Sequence, residues 1–186
     1  MADYEDPPTF AVATVTVPQL NRLSENIRHL KEQADQAVVR LSTNTTTVGN
    51  VGTGEDDLMT YSLAAGVLDA NGKGVRITCG GRFRDIAEAR TLKLYFGGTV
   101  VFQIGFSDPG ANYSWRLVAE VVRTGAATQV SFATFIGSQA GNNSGDESTR
   151  RATPGETLSG AVTIKVTGES SSSDNIQQDL MIIERF

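Results

Sequence analysis

The sequence predicts a mainly β protein: an N-terminal arm and one amphipathic, coiled-coil helix lead into an eight-stranded antiparallel β-sandwich or jelly roll. Three observations carry this. Leu20, Leu23, Ile27, Leu30, Ala34, Ala37 and Leu41 recur at alternating spacings of three and four, the spacing of a coiled-coil seam. After Leu41 the composition turns abruptly to Ser, Thr, Asn and Gly. Beyond that stretch, short runs of alternating apolar residues recur between turn signals, with no further helical period.

The arm is assigned to 1–17. It begins acidic, with Asp3, Glu5, Asp6 and a Pro-Pro pair, and continues into β-branched residues with Phe10, Val12, Val15 and Val17 as its apolar positions. It reads as an extended anchor that adds a strand to another surface, or as a flexible tail. The helix is assigned to 18–41. Thr16 is placed to cap it, Pro18 falls in the first turn, and no glycine or further proline follows before Leu41. With Leu20 at heptad position a, Ile27, Ala34 and Leu41 are also at a, and Leu23, Leu30 and Ala37 are at d. The flanking positions carry Ser24, Lys31, Val38, Asn26, Gln33 and Arg40, which lack the paired opposite charges that select a partner. Ala34 and Ala37 thin the seam. Such a helix is marginal alone, and its partner is either the same helix of other subunits or a groove on its own β domain.

Residues 42–54 read as a Ser/Thr/Gly linker and 55–186 as the β domain. Its strand-like runs are 58–63, 75–79, 92–96, 100–106, 115–122, 130–136, 161–166 and 180–183. Trp115, Leu117, Ala119 and Val121 fall on one face, as do Val162, Ile164 and Val166, and these are the expected core. Asn71-Gly72 and Gly97-Gly98 supply hairpin turns. The polar stretch 137–156, with Asn142, Asn143, Arg150 and Arg151, reads as an exposed loop, and 170–174 as a shorter one.

Net charge is -5 over 186 residues, which lacks the basic footprint of a nucleic-acid binder. Cys79, the single cysteine, excludes an intrachain disulfide and reads as a small buried hydrophobe. The N-terminus lacks the apolar core of a secretory signal, and no run reaches the roughly 20 residues of a membrane span. The chain is therefore expected to be soluble and made in a cytoplasm.

No constellation points to chemistry. The stretch 66–74 misses the phosphate-loop spacing and carries Gly74 where Ser or Thr belongs. Glu55-Asp56-Asp57 lacks the ligand spacing of a calcium loop and reads as a solvated turn. His29, the sole histidine, falls on the outer helix face, away from any triad or multi-histidine metal site. Tyr95, Tyr113 and Trp115 could form a sugar-stacking platform, though strand aromatics are more often core. No catalytic residue, metal or cofactor is expected.

Two segments carry a family resemblance. The stretch 47–63, followed by 71–77, 92–101 and Trp115-Arg116-Leu117, resembles a β module of tailed-bacteriophage structural proteins. Val15-Thr16-Val17-Pro18-Gln19-Leu20-Asn21-Arg22-Leu23-Ser24-Glu25-Asn26-Ile27 is similar to the N-terminal anchor and helix of phage fibre and head-decoration proteins. The resemblance implies a trimeric, non-enzymatic virion part made in the host bacterial cytoplasm, and brings no catalytic or ligand residues with it. The expected role is a homotrimeric capsid decoration (cement) or short head-fibre protein, attached to capsid or tail proteins through its N-terminal region. The alternative is a tail-fibre or receptor-binding protein whose loops, around Tyr113, Asn142, Asn143, Arg150 and Arg151, recognise a bacterial surface glycan. The charged stretch 80–90 and the 137–151 loop depart from the family pattern and are candidates for contacts particular to this chain.

Overall fold

The computed structural model describes residues 16–84, 88–106, 113–139 and 145–186. Phe10, Val12 and Val15 of the expected arm lie outside the described residues. The chain divides into two compact units, Met1–Ala37 and Val38–Phe186.

In the first unit, helix α1 spans Val17–Gln36. Thr16 stands at the N-cap position, but the bonds there run to the Gln19 side chain: the Thr16 backbone N–H and hydroxyl both donate to Gln19 Oε1, at 2.8 and 3.1 Å, and its carbonyl accepts the first helical bond from Leu20 at 3.1 Å. The Thr-x-x-Gln spacing thus satisfies an otherwise orphaned N-terminal donor. Val17, assigned to the arm, is the first helical residue.

The helix does not reach Leu41. It ends at Gln36, and Val39–Asn44 forms strand β1 of the second unit. Two adjacent β-branched residues, Val38 and Val39, lose rotamer freedom in a helix and fit a pleated surface. Leu41 therefore leaves the seam and packs, partly buried, against the β core. Ala37 lies in the bend between the units. The expected linker is likewise corrected, because the end of β1 and the two-residue β2 (Val48–Gly49) take five of its thirteen residues.

The remaining strands are β3 (Glu55–Leu63), β4 (Gly74–Phe83), β5 (Arg90–Phe96), β6 (Thr99–Phe106), β7 (Tyr113–Gly125), β8 (Thr128–Gln139), β9 (Gly145–Ala152), β10 (Val162–Ser170) and β11 (Ile176–Arg185). All pair antiparallel. A seven-stranded sheet runs β1-β11-β4-β7-β8-β9, with β2 also on β11, and a four-stranded sheet runs β3-β10-β5-β6. Counting β1 and β2 as one interrupted strand and setting β8 and β9 aside leaves β1-β11-β4-β7 opposite β3-β10-β5-β6. That is the alternation of an eight-stranded jelly roll, here extended by the β8–β9 hairpin.

Each of the eight expected runs lies in a strand, apart from Ala161 just before β10. The strands missed are β1, β2 and β9, all at sheet edges. Strand β9 overturns the loop expected at 137–156, since Ser131–Ser138 of β8 pairs with Ala152–Gly145. Near the end of that stretch Gln129, buried, brackets Glu156 with hydrogen bonds to its carbonyl and from its N–H, at 2.8 and 2.9 Å. The Gly97-Gly98 turn joins β5 to β6 as a hairpin, with Gly97 at φ 61. Any side chain there would also strike the Glu156 carboxylate. Asn71-Gly72 turns as well, with Gly72 at φ 90, but it lies in the crossover from one sheet to the other and not between paired neighbours.

Aromatic rings tie the sheets together. Phe83 of β4 meets Phe106 of β6 at 5.2 Å between centroids, and Phe135 of β8 meets Phe102 and Phe106 of β6 at 5.9 and 5.8 Å. Trp115 stacks beside Phe83 at 6.1 Å. Gly81 makes room for it, because a Cβ there would come within 2.7 Å of the indole and 2.0 Å of the Gln177 carbonyl oxygen. Leu92, Leu94, Ile164 and Val166 fill the core from the other sheet. Burial of such rings and aliphatic chains is the main stabilising term.

One buried polar residue closes the end of the sandwich. Asn50 accepts the Ile176 N–H at 2.9 Å and donates to the Ser172 carbonyl at 2.9 Å, while its backbone bonds to Ile176 and Asp174. Asn50→Ala would strand the buried Ile176 N–H. It is expected to destabilise the protein by about 2 kcal/mol in urea unfolding; a loss within error of zero would show that Asn50 does not hold this end.

Candidate functional site

On α1 the four large seam residues are all exposed: Leu20 49%, Leu23 55%, Ile27 57% and Leu30 64%. Spacings of three and four place them on one stripe, about 15 Å long at 1.5 Å per residue. Ala34 continues the register within the helix. Around the stripe the polar groups have local partners. Ser24 donates to the Leu20 carbonyl at 3.0 Å, and Glu32 pairs with Arg28 and His29 at 3.9 and 3.7 Å. His29 is solvated, as its outer heptad position suggests. Burying each large apolar side chain would be worth roughly 1.5–3 kcal/mol, and an isolated 20-residue helix has little stability to spare.

The acidic cluster at 55–57 is not a solvated turn. It opens β3, and its side chains join the outer face of the four-stranded sheet. Glu55 accepts from Lys93, from the Tyr95 hydroxyl at 2.6 Å and from the Thr167 hydroxyl at 2.7 Å. Asp57 accepts from Lys165 at 2.7 Å, and the Lys165 ammonium lies 5.2 Å from the Tyr95 ring centroid. Asp56 turns back to accept the Val51 N–H at 2.8 Å. Desolvation pushes the Glu55 carboxyl up, but the bonds from Lys93, Tyr95 and Thr167 and the Lys93 charge outweigh it and hold the group at about 2. Among the described residues no group of three or more His, Cys, Asp or Glu is arranged to hold a metal ion.

The aromatic platform is not assembled. Tyr95 lies on the outer face of one sheet, bound to Glu55. Trp115 is buried inside the other, and Tyr113 begins β7. The expected recognition set is dispersed too. Asn142 and Asn143 lie outside the described residues. Arg150 and Arg151 are exposed neighbours on β9 and so project to opposite faces. Arg151 pairs across Phe132 to Glu120, seven residues along β7 from Tyr113, or about 23 Å.

In the charged stretch at 80–90, Arg82, Glu88 and Arg90 are engaged within the chain, and Asp85 lies outside the described residues. Arg82 bonds Gln177 and Asp179 at 2.7 and 2.9 Å. Arg90, fully buried, reaches the Arg84 carbonyl and lies over the Phe83 ring. Glu88 accepts from Ser172 at 2.7 Å and from Asn175 at 3.2 Å; the Ser172 bond leads in holding its carboxyl below the usual range. Cys79 is buried and its thiol is pushed up to about 12 by desolvation, which fits the small-hydrophobe reading.

Sequence reasoning missed two surface residues, Phe132 at 61% and Ile136 at 48% exposure. The run 130–136 signals a strand, but the side facing the core carries Ser131, Ala133 and Phe135. The signal available was the alternation itself: of the two interleaved sets, the more polar one faces inward.

Glu55, depressed in the folded state, contributes stability that is present above its unfolded value near 4.5 and is lost as pH falls toward 2. Glu55→Gln is expected to lower stability at pH 7 by about 1 kcal/mol and to flatten the acid limb of the stability profile between these values. An unchanged acid limb in urea titrations would remove Glu55 from this role.

No protein-family model matches the chain, and no curated protein matches it. Among solved structures it is similar to the CBM2 module of Lactobacillus casei BL23 phage J-1 evolved Dit, with 9% identity over 79% of this chain and 95% of that one, at a TM-score of 0.35. A likeness at this level carries no inference about function.

Proposed function

We propose that the chain is a non-enzymatic bacteriophage virion structural protein, a homotrimeric capsid decoration (cement) or short head-fibre protein attached to the virion through its N-terminal region. The observation that carries this reading is the exposed Leu20, Leu23, Ile27 and Leu30 stripe on a capped helix. A water-exposed leucine seam is destabilising for a lone helix and is relieved when other copies cover it. Leucine at d with mixed Leu and Ile at a permits several stoichiometries. The choice of three, and the virion as location, come from the resemblance of 15–27 to phage anchors and of 47–63, 71–77, 92–101 and 115–117 to phage β modules. Decoration or a short head fibre is preferred to a tail fibre because a single β module follows the anchor.

In this account the helix gathers the chains, the N-terminal segment engages the capsid or tail surface, and the jelly roll forms the outward mass. Light scattering of the full chain is expected to give a multiple of three subunits. Ile27→Asp buries a carboxylate in the seam and is expected to remove the threefold component. An unchanged mass in that variant would contradict the assembly role of the helix.

A further inference from the structure

We propose that the outer face of the seven-stranded sheet is a second self-association surface, pairing with the same face of another copy of this chain across a twofold axis perpendicular to its strands. The strand register sets three rows across this face. The central row is Thr43, Ile182, Thr78, Val118, Thr134 and Thr149. On one side lie Arg40, Glu184, Arg76, Glu120, Phe132 and Arg151; on the other, Leu180, Gly80, Arg116, Ile136 and Glu147.

A twofold axis along the central row exchanges the two flanking rows. Glu120 then faces Arg116 of the second copy, Arg151 faces Glu147, and Phe132 faces Ile136. Arg76 faces Gly80, which has no side chain to obstruct it. Across β7, β8 and β9 each charge of these rows meets its opposite and the exposed apolar residues meet each other, while Glu184 faces Leu180 and keeps its pair with Arg40. The four threonines of the central row are small enough for the roughly 10 Å approach of stacked sheets. A twofold parallel to the strands through β8 would also pair Arg116 with Glu147 and Glu120 with Arg151 but would overlay only β7, β8 and β9, whereas this axis overlays the face from β1 to β9, about 24 Å across.

The local chemistry leaves these groups available. Among the described residues Arg116, Glu147 and Arg151 make no ion pair within the chain. Arg76 holds Glu120 through two bonds, at 3.0 and 2.8 Å, that both end on Oε1, so Oε2 can accept from a second guanidinium. Much of the complementarity is supplied by the β8–β9 hairpin added to the eight-stranded pattern, which carries Phe132, Ile136, Glu147 and Arg151.

This contact is independent of the helix, since a threefold seam does not relate two faces by a twofold. The test is light scattering and sedimentation of full-length chains carrying Ile27→Asp, Phe132→Asp, or both. Ile27→Asp alone is expected to leave a dimer, Phe132→Asp alone a helix-linked assembly of half the parent mass, and the double variant a monomer. In the Ile27→Asp background, Arg151→Glu is expected to weaken the dimer at least about tenfold, and adding Glu147→Arg to restore it to within about threefold. The proposal is overturned if Ile27→Asp is monomeric at about 100 μM, if Phe132→Asp leaves the parent mass unchanged, or if the charge exchange fails to restore affinity. A parent whose mass is insensitive to Ile27→Asp but falls to monomer with Phe132→Asp would sink the helical assembly and leave this surface standing.

Discussion

The C-terminal strand β11 is the element on which the rest depends. It lies between β4 on one side and β1 and β2 on the other, and its first residue is fixed by Asn50. An open edge at β11 would expose a row of backbone donors and acceptors next to the core. Val39–Asn44 covers that edge, and in doing so it fixes where the helix stops. The strand ladder therefore competes with helix propagation for residues 37–41, and ladder bonds together with Leu41 packing win.

The two outer faces resolve their polarity differently. On the four-stranded sheet Glu55, Lys93, Tyr95, Thr167, Asp57 and Lys165 satisfy one another. On the seven-stranded sheet Arg76 and Glu120 pair, but Phe132 and Ile136 stand in water with unpaired charges around them. Together with the seam of α1, that face holds most of the exposed large apolar side chains. The four-stranded face thus pairs most of its own charges, whereas the α1 seam and the Phe132 face leave large apolar side chains exposed.

Legibility in the sequence followed burial. The eight runs that feed the core alternate cleanly, because an inward position in a sandwich excludes water at every second residue. Strands β1, β2 and β9 each cover an edge and are exposed or half-exposed along nearly their whole length, so Val39–Asn44 and Gly145–Ala152 carry no alternation to read. The helix seam was visible as a period, but its end was not, since Leu41 satisfies the heptad and the strand equally well. Which surface residues come together depends on register between strands far apart in sequence. That is why Glu55 looked like part of a turn, why Tyr95 and Trp115 looked like neighbours, and why the rows around Thr134 were invisible.

The central proposal is that other copies of the chain stabilise α1. Hydrogen–deuterium exchange of the full-length protein at several concentrations reads this directly. Amides of α1 should lose protection as dilution separates the subunits, while those of β4, β7 and β11 keep theirs. Helix protection that persists unchanged in samples diluted to the mass of a single chain would contradict the account.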